Sequence, residues 1–219
     1  MKKIININDC KFSYDGKKNI VNINQLDINE GEHIFLKGKS GSGKTTFLNL
    51  LCGVLSPDSG SIKVLDTELT KLSQTKKDKF RADNYGVVFQ HFNLLPYLSV
   101  YENITLPLNF SKQKQQKALD IDELLFALGL DSQKKEQKAM NLSVGEQQRV
   151  ALARAIVGSP KIIVADEPTS ALDSNTKDSF MKLLFQQLEK NGSTLVFVSH
   201  DDELSKHFEK VYDFCEISR

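Results

Sequence analysis

The sequence predicts an α/β fold: a core with a parallel sheet, an antiparallel β layer at the N-terminal end and an inserted helical subdomain. Three observations carry that expectation. The first is Gly38-Lys39-Ser40-Gly41-Ser42-Gly43-Lys44-Thr45-Thr46, entered from the apolar run Ile34-Phe35-Leu36 and left through the helix-like Phe47-Leu48-Asn49-Leu50-Leu51. The second is a pair of unbroken apolar runs, Lys161-Ile162-Ile163-Val164-Ala165 and Thr194-Leu195-Val196-Phe197-Val198, the pattern of strands buried on both faces. The third is alternation: Ile4-Ile5-Asn6-Ile7 and the stretch from Ile20 to Ile28 read as strands with one face exposed. Residues 1–89 and 161–219 make the expected core, residues 90–160 the helical insertion, and 1–219 a single domain.

Strand, glycine-rich loop and helix in that order form a phosphate-binding loop. Its glycines allow successive backbone N–H groups to turn inward around phosphate oxygens. The start of the following helix adds unpaired N–H groups and the positive end of a dipole. Lys44 is placed to reach the β- and γ-phosphates, and the Thr45 hydroxyl to ligate a magnesium ion. The expected ligand is a nucleoside triphosphate.

Composition narrows the partners. The 219 residues are 40% hydrophobic and 26% charged, with a formal net charge of +1. That balance offers no general attraction to nucleic acid, and there is no long basic block. Cys10, Cys52 and Cys215 lie far apart and make no metal-ligand pattern, which suits a reducing, cytoplasmic compartment. The first ten residues lack the apolar core of a signal peptide, and no apolar run approaches the length of a membrane span. A connection to a membrane therefore has to run through a partner.

Along the chain, the segment from Ile4 to Tyr14 reads as a short strand pair or one bent strand, turning at Asp15-Gly16. Tyr14 has two readings of equal weight: a half-buried strand tyrosine, or a ring that stacks on a purine. A turn at Pro57-Asp58-Ser59-Gly60 precedes the strand Ser61–Leu65, and the charged stretch 72–79 reads as solvated surface. Tyr85–Phe89 is a buried strand ending at Gln90. The apolar run from His91 to Val100 divides between core and docking surface. Ser99 with Glu102 makes a capping box for a helix that stops at Pro107, and 112–117 reads as a solvated helix face or linker. A further helix spans Leu119–Leu128 and stops at Gly129.

Ser143 with Glu146 makes a second capping box, opening a helix through Ala155. Such a start is either a plain cap or a second phosphate-facing helix terminus, and capping chemistry does not choose between them. Asp166-Glu167 end the apolar run at Ala165, where open α/β sheets place their ligands. Asp166 is the candidate magnesium ligand, and Glu167 the group that polarises an attacking water. His200 follows the strand Thr194–Val198 and is the candidate γ-phosphate contact.

By this point the residues resemble an ATP-binding-cassette (ABC) ATPase along essentially the whole chain. The motifs agree in order: Gly38–Thr46, Gln90, Leu142–Arg149, Ile162–Glu167, Ser170–Asp173 and His200. The stretch Phe89–Pro96, with Glu102-Asn103-Ile104 and Leu106-Pro107-Leu108, is similar to a subgroup of lipoprotein-release and macrolide-export type ATPases, which also includes a relative acting in cell division. The resemblance implies a P-loop NTPase core and two subunits packed head to tail around two ATP molecules. Each ATP would touch the loop residues Gly38, Lys39, Ser40, Gly41, Ser42, Gly43, Lys44, Thr45 and Thr46, with Gln90, Asp166, Glu167 and His200 of the same subunit. Ser143, Gly145 and Glu146 of the other subunit would complete the site, with Asp173 at the interface.

The resemblance also turns Tyr14 towards adenine stacking and gives magnesium the ligands Thr45, Gln90 and Asp166. It implies an integral-membrane permease docked near residues 90–108, holding the chain on the inner face of the cell membrane. One departure stands out: Val144 replaces the first of the usual two signature glycines, while Glu146 stands where glutamine is usual, though glutamate is tolerated in this subgroup. The expected function is ATP hydrolysis that drives a permease of export or lipid-extraction type. A non-transport membrane complex, in mechanical signalling or cell division, is the alternative. A soluble ABC ATPase of DNA repair or translation is opposed by the single phosphate loop and the lack of a coiled-coil insertion. A nucleotide-gated module with negligible hydrolysis is opposed by the intact Asp166, Glu167 and His200.

Overall fold

The computed structural model describes residues 2–170, 172 and 174–219, with the backbone alone for 174 and 175. In chain order the elements are β1 (Lys3–Phe12), β2 (Val21–Asn29), β3 (His33–Lys37), α1 (Lys44–Leu51), β4 (Ser59–Val64), β5 (Thr67–Glu68), α2 (Gln74–Asn84) and β6 (Tyr85–Val88). The middle of the chain is helical, with α3 (Val100–Thr105), α4 (Lys112–Gln116), α5 (Ile121–Ala127) and α6 (Val144–Ile156). Then come β7 (Ile162–Asp166), α7 (Ser174–Asn191), β8 (Thr194–Ser199), β9 (Lys210–Asp213) and α8 (Phe214–Ile217). No described helix is long and apolar enough to cross a membrane.

Two compact units divide the chain. The first comprises residues 2–81 and 194–219. Its antiparallel sheet runs β2-β1-β4-β5, the layer expected from the alternating N-terminal runs. Ile5 and Ile7 face Ile28 and Leu26 on β2, and all four are buried. The N-terminal segment is one bent strand. The register against β4 shifts between Asn8 and Lys11, and Asp9 takes a φ of 48°. A Cβ on Gly60 would lie 2.2 Å from the Asp9 carbonyl oxygen, so only glycine fits opposite the bend. Beside this layer in sequence, β3 pairs in parallel with both β8 and β9. Ile34, Phe35 and Leu36 are fully buried, and the Phe35, Phe197 and Phe208 rings cluster with centroids 5.2–5.8 Å apart. Such a strand is fixed by its core, and its end delivers the glycine-rich loop at a set position.

The second unit, residues 82–193, pairs β6 with β7 in parallel and contains α3 to α7. In this unit β6 and β7 group with the helices. A Cβ on Gly86 would meet the Ala155 carbonyl oxygen at 2.1 Å, so α6 lies directly on β6 and a side chain there would push it off. Val150 to Ala153 are fully buried on α6. Both expected capping boxes are present, Ser99 with Glu102 and Ser143 with Glu146. Pro107 ends regular α-helix after α3, and the chain tightens into a 3-10 turn over Leu106–Phe110.

Two stretches expected to be solvated are not wholly so. Lys77 on α2 and Lys114 on α4 are buried to 5% and 4% exposure. Their long stems fill space, and each ammonium finds an oxygen. Lys77 donates to Ser56 Oγ at 2.6 Å, and Lys114 to the Tyr85 carbonyl at 2.6 Å. Composition announces the charge of such a residue but not the burial of its stem.

Candidate functional site

In the first unit the loop leaves β3 and closes on α1. Gly41 and Gly43 take φ values of 76° and 102°, a region open to glycine. Gly43 is the residue before α1, and a Cβ there would meet the Ile20 carbonyl oxygen at 2.8 Å. Helix α1 begins with no side-chain cap and no acidic residue in its first turn. Its leading N–H groups therefore have no anionic side chain of their own helix to satisfy them. Lys44 is buried and folds back along the loop, donating to the Gly38 and Lys39 carbonyls at 2.6 and 3.0 Å. Ser42 Oγ is buried inside the loop with no hydrogen-bond partner. An orphaned hydroxyl and a cation resting on backbone carbonyls both fit a cradle shaped for phosphate oxygens.

Around this loop the structure gathers several expected residues. Thr45 is exposed at the head of α1. Tyr14 and Thr46 share a hydrogen bond of 3.1 Å between hydroxyls, while the Tyr14 ring is 66% exposed and stands edge-on to Phe12. That ring is largely exposed beside Thr46, as a stacking platform needs. A cleft of about 680 Å³ is lined by Lys37, Gly38, Lys39, Ser40, His200, Asp202, Asp213 and Cys215. His200 thus shares a cleft with the start of the phosphate loop.

In the second unit, Asp166 closes β7 and Glu167 follows with a φ of 48°. A non-glycine residue held in the left-handed region stores strain, and the turn behind it is tied in place. The Ser170 N–H donates to the Glu167 carbonyl at 3.2 Å, and buried Gln148 of α6 donates to the Pro168 carbonyl at 2.9 Å. Gln90 is exposed just beyond β6. At the start of α6, the Ser143 N–H and hydroxyl both donate to Glu146 Oε2 at 2.9 Å, and Lys134 forms an ion pair with Glu146 Oε1. Together these donors hold the Glu146 carboxyl far below its ordinary range, at about 2, with Lys134 the largest cause. Val144 has a negative φ at the first position of α6, so the β-branched residue is accommodated without strain. Asp173 lies outside the described residues.

Three buried polar side chains shape these segments. Asn103, fully buried on α3, accepts from the Leu95 N–H and donates to the carbonyls of Leu95, Leu98 and Ser99. Arg154 of α6 donates to the carbonyls of Phe92 and Asn93, which take φ values of 57° and 48°. Gln148 is the third. Asn103 and Gln148 lie within the family-like stretches Glu102–Ile104 and Leu142–Arg149, while a charged side chain at a helical core position is the only sequence signal Arg154 gives.

A buried lysine wrapped by a glycine loop, between a buried parallel strand and an uncapped helix, defines a P-loop nucleoside-triphosphate hydrolase. The narrower family follows from comparison. The family model described as ABC transporter matches residues 21–170, and the chain belongs to that family as an ATP-binding, ATP-hydrolysing cassette. It is 39% identical over 212 residues to the lipoprotein-releasing system ATP-binding protein LolD of Syntrophotalea carbinolica, covering 95% of this chain and 93% of that one. It is 37% identical over 199 residues to the macrolide export ATP-binding/permease protein MacB of Campylobacter jejuni, covering 90% of this chain and 31% of that one. A solved dimeric structure of the cassette MJ0796 in a post-hydrolysis state, bound to ADP and Pi, superposes with a TM-score of 0.82 at 35% identity, covering 94% of this chain and 92% of that one.

Proposed function

We propose that this ABC ATPase forms a dimer on binding ATP and uses the cycle of closure and hydrolysis to drive an integral-membrane permease of export or lipoprotein-extraction type. The observation that carries the phosphate role is the loop itself: Lys44 resting on carbonyls, Ser42 Oγ orphaned and α1 uncapped. In the proposed cycle Lys44 exchanges those carbonyls for β- and γ-phosphate oxygens, and Tyr14 stacks on the adenine. Gly38 to Thr46 supply backbone N–H groups and hydroxyls. The whole chain acts as one cassette, with 1–89 and 161–219 as catalytic core and about 90–160 as helical subdomain.

Magnesium fits the donor set. The Thr45 hydroxyl, the Gln90 amide oxygen and the Asp166 carboxylate are all hard oxygen donors. The ion supplies charge neutralisation on the phosphate oxygens. Glu167 polarises the attacking water, and His200 orients it against the γ-phosphate.

Gly145 supports the two-subunit arrangement. Its φ is not in the glycine region, and a Cβ there would meet nothing within 4 Å. Neither backbone nor packing of the isolated chain needs glycine at that position, whereas close approach by a partner's nucleotide does. Ser143, Gly145 and Glu146 are therefore assigned to the second copy's ATP, and Asp173 to contact between copies. For the permease, Tyr97 and Phe110 are 64% and 65% exposed, and Tyr101 is 41% exposed, within and beside the proposed 90–108 docking segment. Such docking would hold the chain peripherally on the inner membrane face.

Glu167→Gln tests the hydrolytic assignment. The expected outcome is ATPase turnover reduced by about a hundredfold or more, with a dimer that accumulates in ATP on size exclusion. Undiminished hydrolysis by that variant removes Glu167 from the role.

A further inference from the structure

Glu146 poses an electrostatic problem for the reading just given. Its carboxylate accepts both donors of Ser143 at 2.9 Å, so an anion already occupies the start of α6 where a partner's γ-phosphate is to be received. The carboxyl titrates at about 2 and is ionised at any working pH. A triphosphate brought to that helix start meets a like charge, in a setting where closure removes the water that would screen it.

Lys134 answers that charge. It lies on the 3-10 turn Ser132–Glu136, and its ammonium pairs with Glu146 Oε1 while Ser143 holds Oε2. The turn is itself fixed: Asp131 caps it through the Gln133 N–H at 2.9 Å, and the Gln137 N–H closes on the Lys134 carbonyl at 2.8 Å. The capping box does not need the lysine. The Ser-x-x-Glu box on α3 forms without one: the Ser99 N–H donates to Glu102 Oε2 at 2.7 Å and the Glu102 N–H to Ser99 Oγ at 3.1 Å, with no cation on its glutamate among the described ion pairs. The extra cation is thus found at the box that the proposed function places against nucleotide.

Resting on that two-subunit reading, we infer that Lys134 is a positioning residue that cancels the charge of Glu146, so that the start of α6 can receive the γ-phosphate held by the partner subunit. With the pair intact, the helix start presents no net side-chain charge. The Ser143 hydroxyl can then turn from the carboxylate to a phosphate oxygen while Lys134 keeps the carboxylate satisfied. Without Lys134 the carboxylate stays unbalanced and repels the nucleotide.

The test is a double-mutant cycle read by ATP-driven association of the full chain, in a Glu167→Gln background, by analytical ultracentrifugation at low and at high salt. Lys134→Met is expected to weaken association about tenfold at low salt and clearly less at high salt, because repulsion is screened. On a Glu146→Gln background the same Lys134→Met change is expected to cost less than about twofold, because no charge remains to balance. A structural role for the ion pair predicts the opposite pattern: Glu146→Gln and Lys134→Met weaken association equally, without salt dependence. That result overturns the inference, as does undiminished association of Lys134→Met. Urea midpoints measured on each variant separate misfolding from charge. If the Glu167→Gln chain shows no ATP-driven association at all, the two-subunit reading fails and takes this inference with it. If it associates but the cycle shows no coupling, only the role of Lys134 fails.

Discussion

Gly43 carries two demands at once. Its φ of 102° places it where L side chains are strained, and a Cβ would stand 2.8 Å from the Ile20 carbonyl oxygen. It also immediately precedes Lys44, whose ammonium spans back to Gly38 and Lys39. Gly43→Ala should therefore destabilise the fold by roughly 1–3 kcal/mol and, by tilting the first N–H groups of α1, weaken ATP binding as well. Urea denaturation checks the first effect and fluorescence titration with a nucleotide analogue the second. Gly16, with a positive φ but open space around it, provides the contrast: alanine there has strain but no clash, and no loop to distort. The sequence exposes Gly43 because loop chemistry dictates it. It does not expose the strain at Glu167, since a φ of 48° on a glutamate follows from the turn tied by Ser170 and Gln148, not from glutamate itself.

At the scale of elements, buried strands and capped helices were readable because their signals are local. Unbroken apolar runs became β7 and β8, and Ser-x-x-Glu spacing became two capping boxes. Residues whose role is set by distant partners were not readable. Arg154 of α6 holds the carbonyls of Phe92 and Asn93, 62 and 61 residues away, and Lys114 on α4 fills the space over Gly158, where a Cβ would meet its stem at 2.5 Å. Burial pushes the Lys114 ammonium down from its ordinary 10.5 to about 8, against a smaller upward pull from Asp83. The sign of the consequence follows from linkage. Between pH 8 and 10.5 the unfolded chain holds a proton on this lysine that the folded chain has released, so stability rises with pH across that window. Lys114→Met should abolish that rise, which urea titrations at pH 7.5, 9 and 10.5 would follow. A rise that persists in the variant would assign it to another group.

At the scale of the whole molecule, the two glycines that matter most answer to different assemblies. Gly43 is required by the chain itself, whereas Gly145 has a helical backbone with open space around it. In a lone subunit, Gly145→Ala should raise stability by up to about 1 kcal/mol, because alanine loses less backbone entropy in α6. In the proposed dimer the same methyl group enters the gap through which the partner's phosphate approaches the α6 backbone. The variant should then keep or raise its urea midpoint, bind ATP through its own loop with unchanged affinity, and yet associate about five- to 150-fold more weakly in the Glu167→Gln background, since overpacking a close contact costs of order 1–3 kcal/mol. Stability and association moving in opposite directions is a signature that misfolding cannot produce. If Gly145→Ala associates as tightly as its parent, the start of α6 is no close partner of the second nucleotide. The assignment of Ser143 and Glu146 to that site then falls as well, while the phosphate loop in the first unit keeps its role.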